Sequence, residues 1–213
     1  MTVPGTFDTS ARELIHAGLQ NLDEARSLFR QLSASGFDAA RCGLLLDALQ
    51  HVCDPDVALR NLVDIVNAQV SQGRALDDIV PDDTAFRQLV AVLGVSDAMG
   101  KLMRFRPDLV QAAATDHCNS HLYNHDQRRA HVLESVGADP NDRMSPTATM
   151  DLADAATALR RTYRNQLAAI IAQDTMSDDP IALQPRISSE LSDLADAALE
   201  GALAIDHHFP VFA

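Results

Sequence analysis

Apolar residues recur along most of the chain at intervals of three and four, the spacing that gathers them on one face of an α-helix, and no segment alternates with the period of two expected of a half-buried strand. Leu22, Ala25, Leu28, Phe29 and Leu32 form one such face. Leu44, Leu45, Leu46 and Leu49 form a second, and Val57, Leu59, Leu62, Val63, Ile65 and Val66 a third. Start and stop signals punctuate these runs. Ser10 with Glu13 reads as a capping box, and Asn21 with Glu24 as the same device. Gly36 is placed to end the helix that Asn21 opens. Asp38 can cap the next helix, and Asp54 followed by Pro55 marks another start, because proline fits the first helical position. Gly73 breaks the pattern again. Further helices are expected over about 83–93, ended by Gly94, from a cap at Ser96 to about 105, from Pro107, and over 127–136.

Two longer helices are expected last. The first covers about 147–174, with Leu152, Ala155, Leu159, Tyr163, Leu167 and Ile170 on one face. The second covers about 186–205, with Ile187, Leu191, Leu194, Ala198 and Leu199. Pro180 and Pro185 fall in the connection between them. The fold class is therefore all-α: a multi-helix array of short helices followed by a longer helical pair. The loop over 137–146, with two prolines, separates an expected short-helix subdomain, 1–140, from the long-helix pair, 147–206.

Composition narrows the function. The 213 residues carry a formal net charge of −13, and the sequence pI is about 4.8. Such a surface repels phosphate backbones and anionic headgroups, so neither nucleic acid nor a membrane surface is an expected partner. Two local basic clusters interrupt it, Arg104 with Arg106, and Arg160, Arg161 and Arg164. Cys42, Cys53 and Cys118, an odd count without close pairing, fit a reducing cytoplasm rather than a disulfide framework. The first ten residues do not read as a secretory signal.

Candidate chemistry is sparse. Asp54-Pro55-Asp56 has the outline of an Asp-x-Asp metal pair, but that site needs a strand and a Gly-Ser turn. An N-cap is the better reading of Asp54. His117, Cys118, His121 and His125 are the sharpest constellation, since on a helix the three histidines would share a face and both side-chain types bind zinc. A polar surface segment is the alternative, because no second cysteine completes a familiar spacing. Glu190, Asp193, Asp196 and Glu200 give the last helix an acidic face, read as solvated. His207 and His208 read as a frayed polar tail. From the residues alone, no catalytic, cofactor-binding or metal-binding residue is assigned.

Several segments in order resemble one family. Leu32 to Phe37, ending in Gly-Phe, is similar to its early L-x-x-x-G-F helix end. DPDVALRNL at 54–62 resembles its P-D-x-A-L-x-x-L helix start, and LGVSDAMGKLMRFRP at 93–107 its L-G-x-S-x-x-L-x-x-x-L-x-R-x-P stretch; LESVGADP at 133–140 is similar to a further segment. LRRTYRNQLAAIIAQD at 159–174 resembles an L-R-x-x-R-R-x-x-L-x-x-I-A-x-x-D helix, and ELSDLADA at 190–197 an E-L-S-x-L-A-D-A helix. The family they resemble is that of bacterial glutamine synthetase adenylyltransferase/adenylyl-removing enzymes, in its amino-terminal half. Asn165 and Gln166 depart from the family pattern, standing where it has a charged Arg-Glu pair.

The resemblance implies a bifunctional nucleotidyltransferase that moves AMP from ATP to a tyrosine of glutamine synthetase and removes it by phosphorolysis. Magnesium and ATP would be cofactors of the full-length enzyme. Its partners would be glutamine synthetase, a nitrogen-signalling regulator and the remainder of its own catalytic domain. In the family the last helix leads to a Gly-rich turn and Ser-Asp-x-Asp, which these 213 residues lack, so no catalytic residue is carried over and the chain alone is expected to be inactive. Arg160, Arg161 and Arg164 are interaction candidates, for nucleotide phosphate or an acidic neighbouring surface, against the plainer reading of a solvated basic face. Two other readings stand beside this one. One is a non-catalytic acidic helical module that binds a protein partner. The other is a metal-dependent protein built on the histidine cluster, which predicts stoichiometric zinc in protein purified without chelator.

Overall fold

The computed structural model describes residues 9–78, 80, 82–114, 123–177 and 179–208. Among these there is no strand. Ten α-helices are present: α1 (Ala11–His16), α2 (Leu22–Ala34), α3 (Ala39–Leu49), α4 (Pro55–Ser71), α5 (Asp83–Val95), α6 (Asp97–Met103), α7 (Pro107–Ala114), α8 (His125–Ser135), α9 (Leu152–Thr175) and α10 (Pro180–His208), with one 3-10 turn at Leu76–Asp78. The all-α reading holds. The chain divides into two compact units, residues 1–116 and 117–213.

The local signals act where the sequence puts them. Ser10 and Glu13 close a capping box at α1, and the side chains of Asn21, Asp38, Asp54, Asp82 and Ser96 each accept from the backbone N–H three residues on. These bonds satisfy donors that the first turn of a helix leaves unpaired. At the end of α2, Gly36 takes φ +103°, Phe37 N–H donates to Leu32 O and Gly36 N–H to Ser33 O. This is the doubly bonded helix ending in which a left-handed residue is needed and glycine has no Cβ to object.

In the first unit α5 is the central helix. Phe86, Leu89, Val90, Val92 and Leu93 are buried around its whole circumference, with α3, α4, α6 and α7 packed on it. A helix apolar on all sides is stable only when enclosed in this way. Gly94 does not end α5. It lies inside the helix, where a Cβ would stand 2.9 Å from Val52 Cβ, so its role is close approach rather than termination. Ser96 both closes α5 and caps α6. Asp56 reaches from α4 to accept from the N–H groups of Gln20 (3.0 Å) and Asn21 (3.3 Å), tying the α1–α2 connection to α4.

In the second unit α8, α9 and α10 pack as a three-helix group. Leu133, Val136, Ala148, Ala155, Ala204 and Ile205 form one cluster, and Ile170, Ile187 and Leu194 another nearer the opposite ends of α9 and α10. The loop over 137–146 lies inside this unit.

Two expected boundaries move. α9 starts at Leu152, not at 147, because Ala148 N–H donates to Ala204 O (2.8 Å) and Thr149 Oγ1 to Gly137 O (2.8 Å), holding the preceding strap against the bundle. α10 starts at Pro180 and runs through Pro185. The first proline sits where its missing N–H costs nothing. The second removes one helical bond from a turn that is exposed, where water can serve the freed carbonyl.

Candidate functional site

The densest polar structure in the second unit joins α8 to α10. α8 opens with a capping box at Asn124 and Gln127, which fixes the register of the arginines that follow. Arg128 is 1% exposed. Its Nη1 donates to Gln166 Oε1 on α9 (2.6 Å), and its Nη2 to Glu190 Oε2 on α10. Arg129 forks onto Glu200, with Nε 2.9 Å from Oε1 and 2.8 Å from Oε2. It also donates to the carbonyls of Pro140 (2.5 Å) and Asp142 (2.9 Å) in the 137–146 loop. His125 Nδ1 donates to Asp193 Oδ1 (3.1 Å). Planar guanidinium groups suit such two-pronged contacts.

This overturns the reading of the acidic face of α10 as solvated. Glu190, Asp193 and Glu200 are answered by Arg128, His125 and Arg129, and only Asp196 of the four is exposed. Arg128 and Arg129 were not singled out from the sequence. The signal was present: they sit four residues before Val132 and Leu133, on the buried side of α8, and a charge there demands a partner.

The tail reading also changes. His207 belongs to the last turn of α10 and its Nδ1 donates to Pro146 O (3.1 Å), so it is docked rather than frayed. Asp142, within the 137–146 loop, accepts from the N–H groups of Ser145 (3.0 Å) and Met144 (2.9 Å), which hold its carboxyl below the ordinary value of 3.8. Asp54 and Asp56 each serve as backbone acceptors at helix starts, as the capping reading requires.

Arg160, Arg161 and Arg164 all lie on α9. Arg160 and Arg161 are exposed and Arg164 is half-buried. Arg160 and Arg164, one turn apart, border a shallow open groove of about 310 Å³ whose floor is Leu159, Tyr163 and Ala198. Arg161 does not line it. Of the zinc candidates, His117, Cys118 and His121 lie outside the described residues, and His125 is engaged with Asp193. Among the described residues no group of three His, Cys, Asp or Glu side chains is arranged to hold a metal.

In the first unit a second cavity, about 430 Å³, is bordered by Phe37, Arg41, Leu44, Val66, Leu76 and Asp83. Arg41 lies over the Phe86 ring, 4.4 Å from its centroid, and 3.8 Å from Asp83. Its charge is answered within the fold. No described helix is long and apolar enough to cross a membrane.

Fold and site together define an all-α helical segment whose buried Arg128 is matched across its own helix junctions and whose Arg160 and Arg164 border a groove. No family model and no solved structure matches the chain. Curated proteins do. It is 64% identical over 202 residues to the bifunctional glutamine synthetase adenylyltransferase/adenylyl-removing enzyme of Bifidobacterium longum (strain DJO10A), a match covering 95% of this chain and 19% of that protein. The enzyme of the same name from Streptomyces avermitilis is 30% identical over 210 residues, covering 96% of this chain and 18% of the relative. That from Cutibacterium acnes is 27% identical over 194 residues. Over nearly its whole length the chain is homologous to bifunctional glutamine synthetase adenylyltransferase/adenylyl-removing enzymes, and it spans about one fifth of the length of the relatives it matches.

Proposed function

We propose that this chain is the N-terminal helical segment of such an enzyme, the part that precedes and supports its first nucleotidyltransferase core. The whole enzyme would transfer AMP from ATP to a tyrosine of glutamine synthetase and remove it by phosphorolysis, with magnesium and ATP bound by the catalytic halves. A nitrogen-signalling regulator would set the direction. The carrying observation is the 64% identity over 95% of the chain to a protein bearing both activities in its name.

The segment would contribute shape rather than chemistry. Its 213 residues hold no Ser-Asp-x-Asp with which to grip magnesium and a triphosphate. What it offers is a helical body whose α8–α10 junction is pinned by Arg128–Glu190 and Arg129–Glu200. A body of this kind can hold a catalytic core in register with a large protein substrate.

The test has two parts. The reading frame beyond the codon for Ala213 is sequenced, and a Gly-rich turn followed by Ser-Asp-x-Asp is expected. Residues 1–213 and the full-length protein are then assayed with adenylylated glutamine synthetase and phosphate. Release of ADP by the full-length protein and none by residues 1–213 is expected; turnover by residues 1–213 alone would overturn the scaffold role.

A further inference from the structure

α10 is apolar around more of its circumference than its neighbours cover. Leu194, Ala197 and Ala204 are buried in the bundle, but Leu191, Leu199 and Leu203 are 41%, 65% and 55% exposed, and Ala195 and Ala202 between them are exposed too. Residues 191, 195, 199 and 203 are each one turn apart, so they make one continuous stripe. At Ala198 the stripe meets the groove floored by Leu159 and Tyr163 of α9, the latter 37% exposed. The rim on the α9 side is Arg160 and Arg164, neither of which forms an ion pair among the described residues, in a chain of net charge −13. Scattered exposed leucines mean little, but a contiguous apolar surface with a polar rim marks an interaction site.

We infer that this surface docks an apolar ridge flanked by carboxylates, presented by the remainder of the same polypeptide. Two observations select that occupant. Relatives are about five times the length of the match, so on the proposed reading a much larger part of the same polypeptide would lie beside this surface at high effective concentration. The two rim cations call for an acidic counterpart, which fixes the chemistry of the docked face as carboxylate-flanked. The inference rests on the proposal that the chain is a segment of the larger enzyme.

Hydroxyl-radical footprinting read by mass spectrometry tests it, on residues 1–213 and on the full-length protein. Oxidation of Tyr163, Leu199 and Leu203 is expected to fall roughly tenfold in the full-length protein, as for side chains moved into a desolvated interface core. Met144, 93% exposed and off the stripe, is the control whose rate gauges general shielding. A paired variant, Leu199→Asp with Leu203→Asp, is expected to leave the melting of residues 1–213 unchanged, since both side chains are exposed there, and to restore Tyr163 oxidation in the full-length protein. Equal stripe oxidation in the two proteins overturns the inference. So does protection already present in residues 1–213, whether independent of concentration or growing with it as for a second copy, and so does protection that arises only on adding glutamine synthetase. An active full-length enzyme with an unprotected stripe refutes the docking alone; a full-length protein without AMP-removing activity, or a frame that stops at Ala213, refutes the reading beneath it.

Discussion

Arg128 of α8 and Glu190 of α10, both buried, meet side chain to side chain inside the second unit, and Gln166 of α9 supplies the other acceptor to the same guanidinium. One contact thus ties all three helices. A buried pair adds little net stability over an apolar replacement, yet removing one partner strands a charge. Glu190→Ala is therefore expected to destabilise residues 1–213 by about 3–5 kcal/mol in urea unfolding. Arg128→Met with Glu190→Leu is expected to recover most of that loss. A double variant no more stable than Glu190→Ala would show that the pair is not the source of the effect.

Arg129 does a different job. It spans Glu200 and two carbonyls of the 137–146 loop. Arg129→Lys keeps the charge but not the fork, and is expected to raise hydrogen exchange across 138–146 while leaving α5 unchanged. Exchange rising equally in both places would mean global loosening instead.

Stability should fall in acid for a stated reason. The carboxyls of Asp142, Asp47 and Glu13 are held below their ordinary values, by the Ser145 and Met144 N–H groups, by Arg87, and by Ser10 respectively. Each folded-state value is depressed, so the unfolded chain takes up protons first as pH drops. The contribution of these groups is complete above the ordinary values of 3.8 to 4.5 and is lost as pH falls through the lower folded values. The urea midpoint of Asp142→Asn should accordingly depend less on pH below 4.5 than that of the parent; an unchanged slope would remove Asp142 from the account.

Gly100 of α6 faces Asn61 of α4 so closely that an added Cβ would overlap the Asn61 amide, whose Nδ2 donates to Leu93 O at 3.2 Å. Gly100→Ala should cost about 1–3 kcal/mol by overpacking, despite the better helix propensity of alanine. Gly43, on α3 with open space around its Cβ position, is the contrast: Gly43→Ala should be neutral or stabilising by about 1 kcal/mol. The two melting curves decide it.

Cys53 is exposed, whereas Cys42 is fully buried and its thiol is pushed up from 9.0 by that burial. Iodoacetamide at pH 8 should modify Cys53 in the native protein and Cys42 only on unfolding, because the thiolate is the reacting species. Equal rates at the two sites would contradict the placement of α3.

Much of this molecule is written in short sequence windows. Ser10–Glu13, Asn21, Asp38, Asp54–Pro55 and Ser96 announce helix starts, and Gly36, Gly73 and Gly137 announce ends, because caps and left-handed turns are made between residues three to five apart. Helical periodicity then fixes the all-α class, and ordered segment likeness points to the family. Sequence reasoning failed where the deciding atom lies far along the chain. Gly94 reads as a stop until Val52 and Asp54 close on it. The strap over 147–151 reads as helix until Ala204 O claims Ala148 N–H. Glu190 and Glu200 read as solvated until α8 lays Arg128 and Arg129 across them. Local propensity differs between alternatives by fractions of a kcal/mol, whereas an unpaired buried charge or a filled backbone contact is worth several, so at these positions the tertiary structure decides.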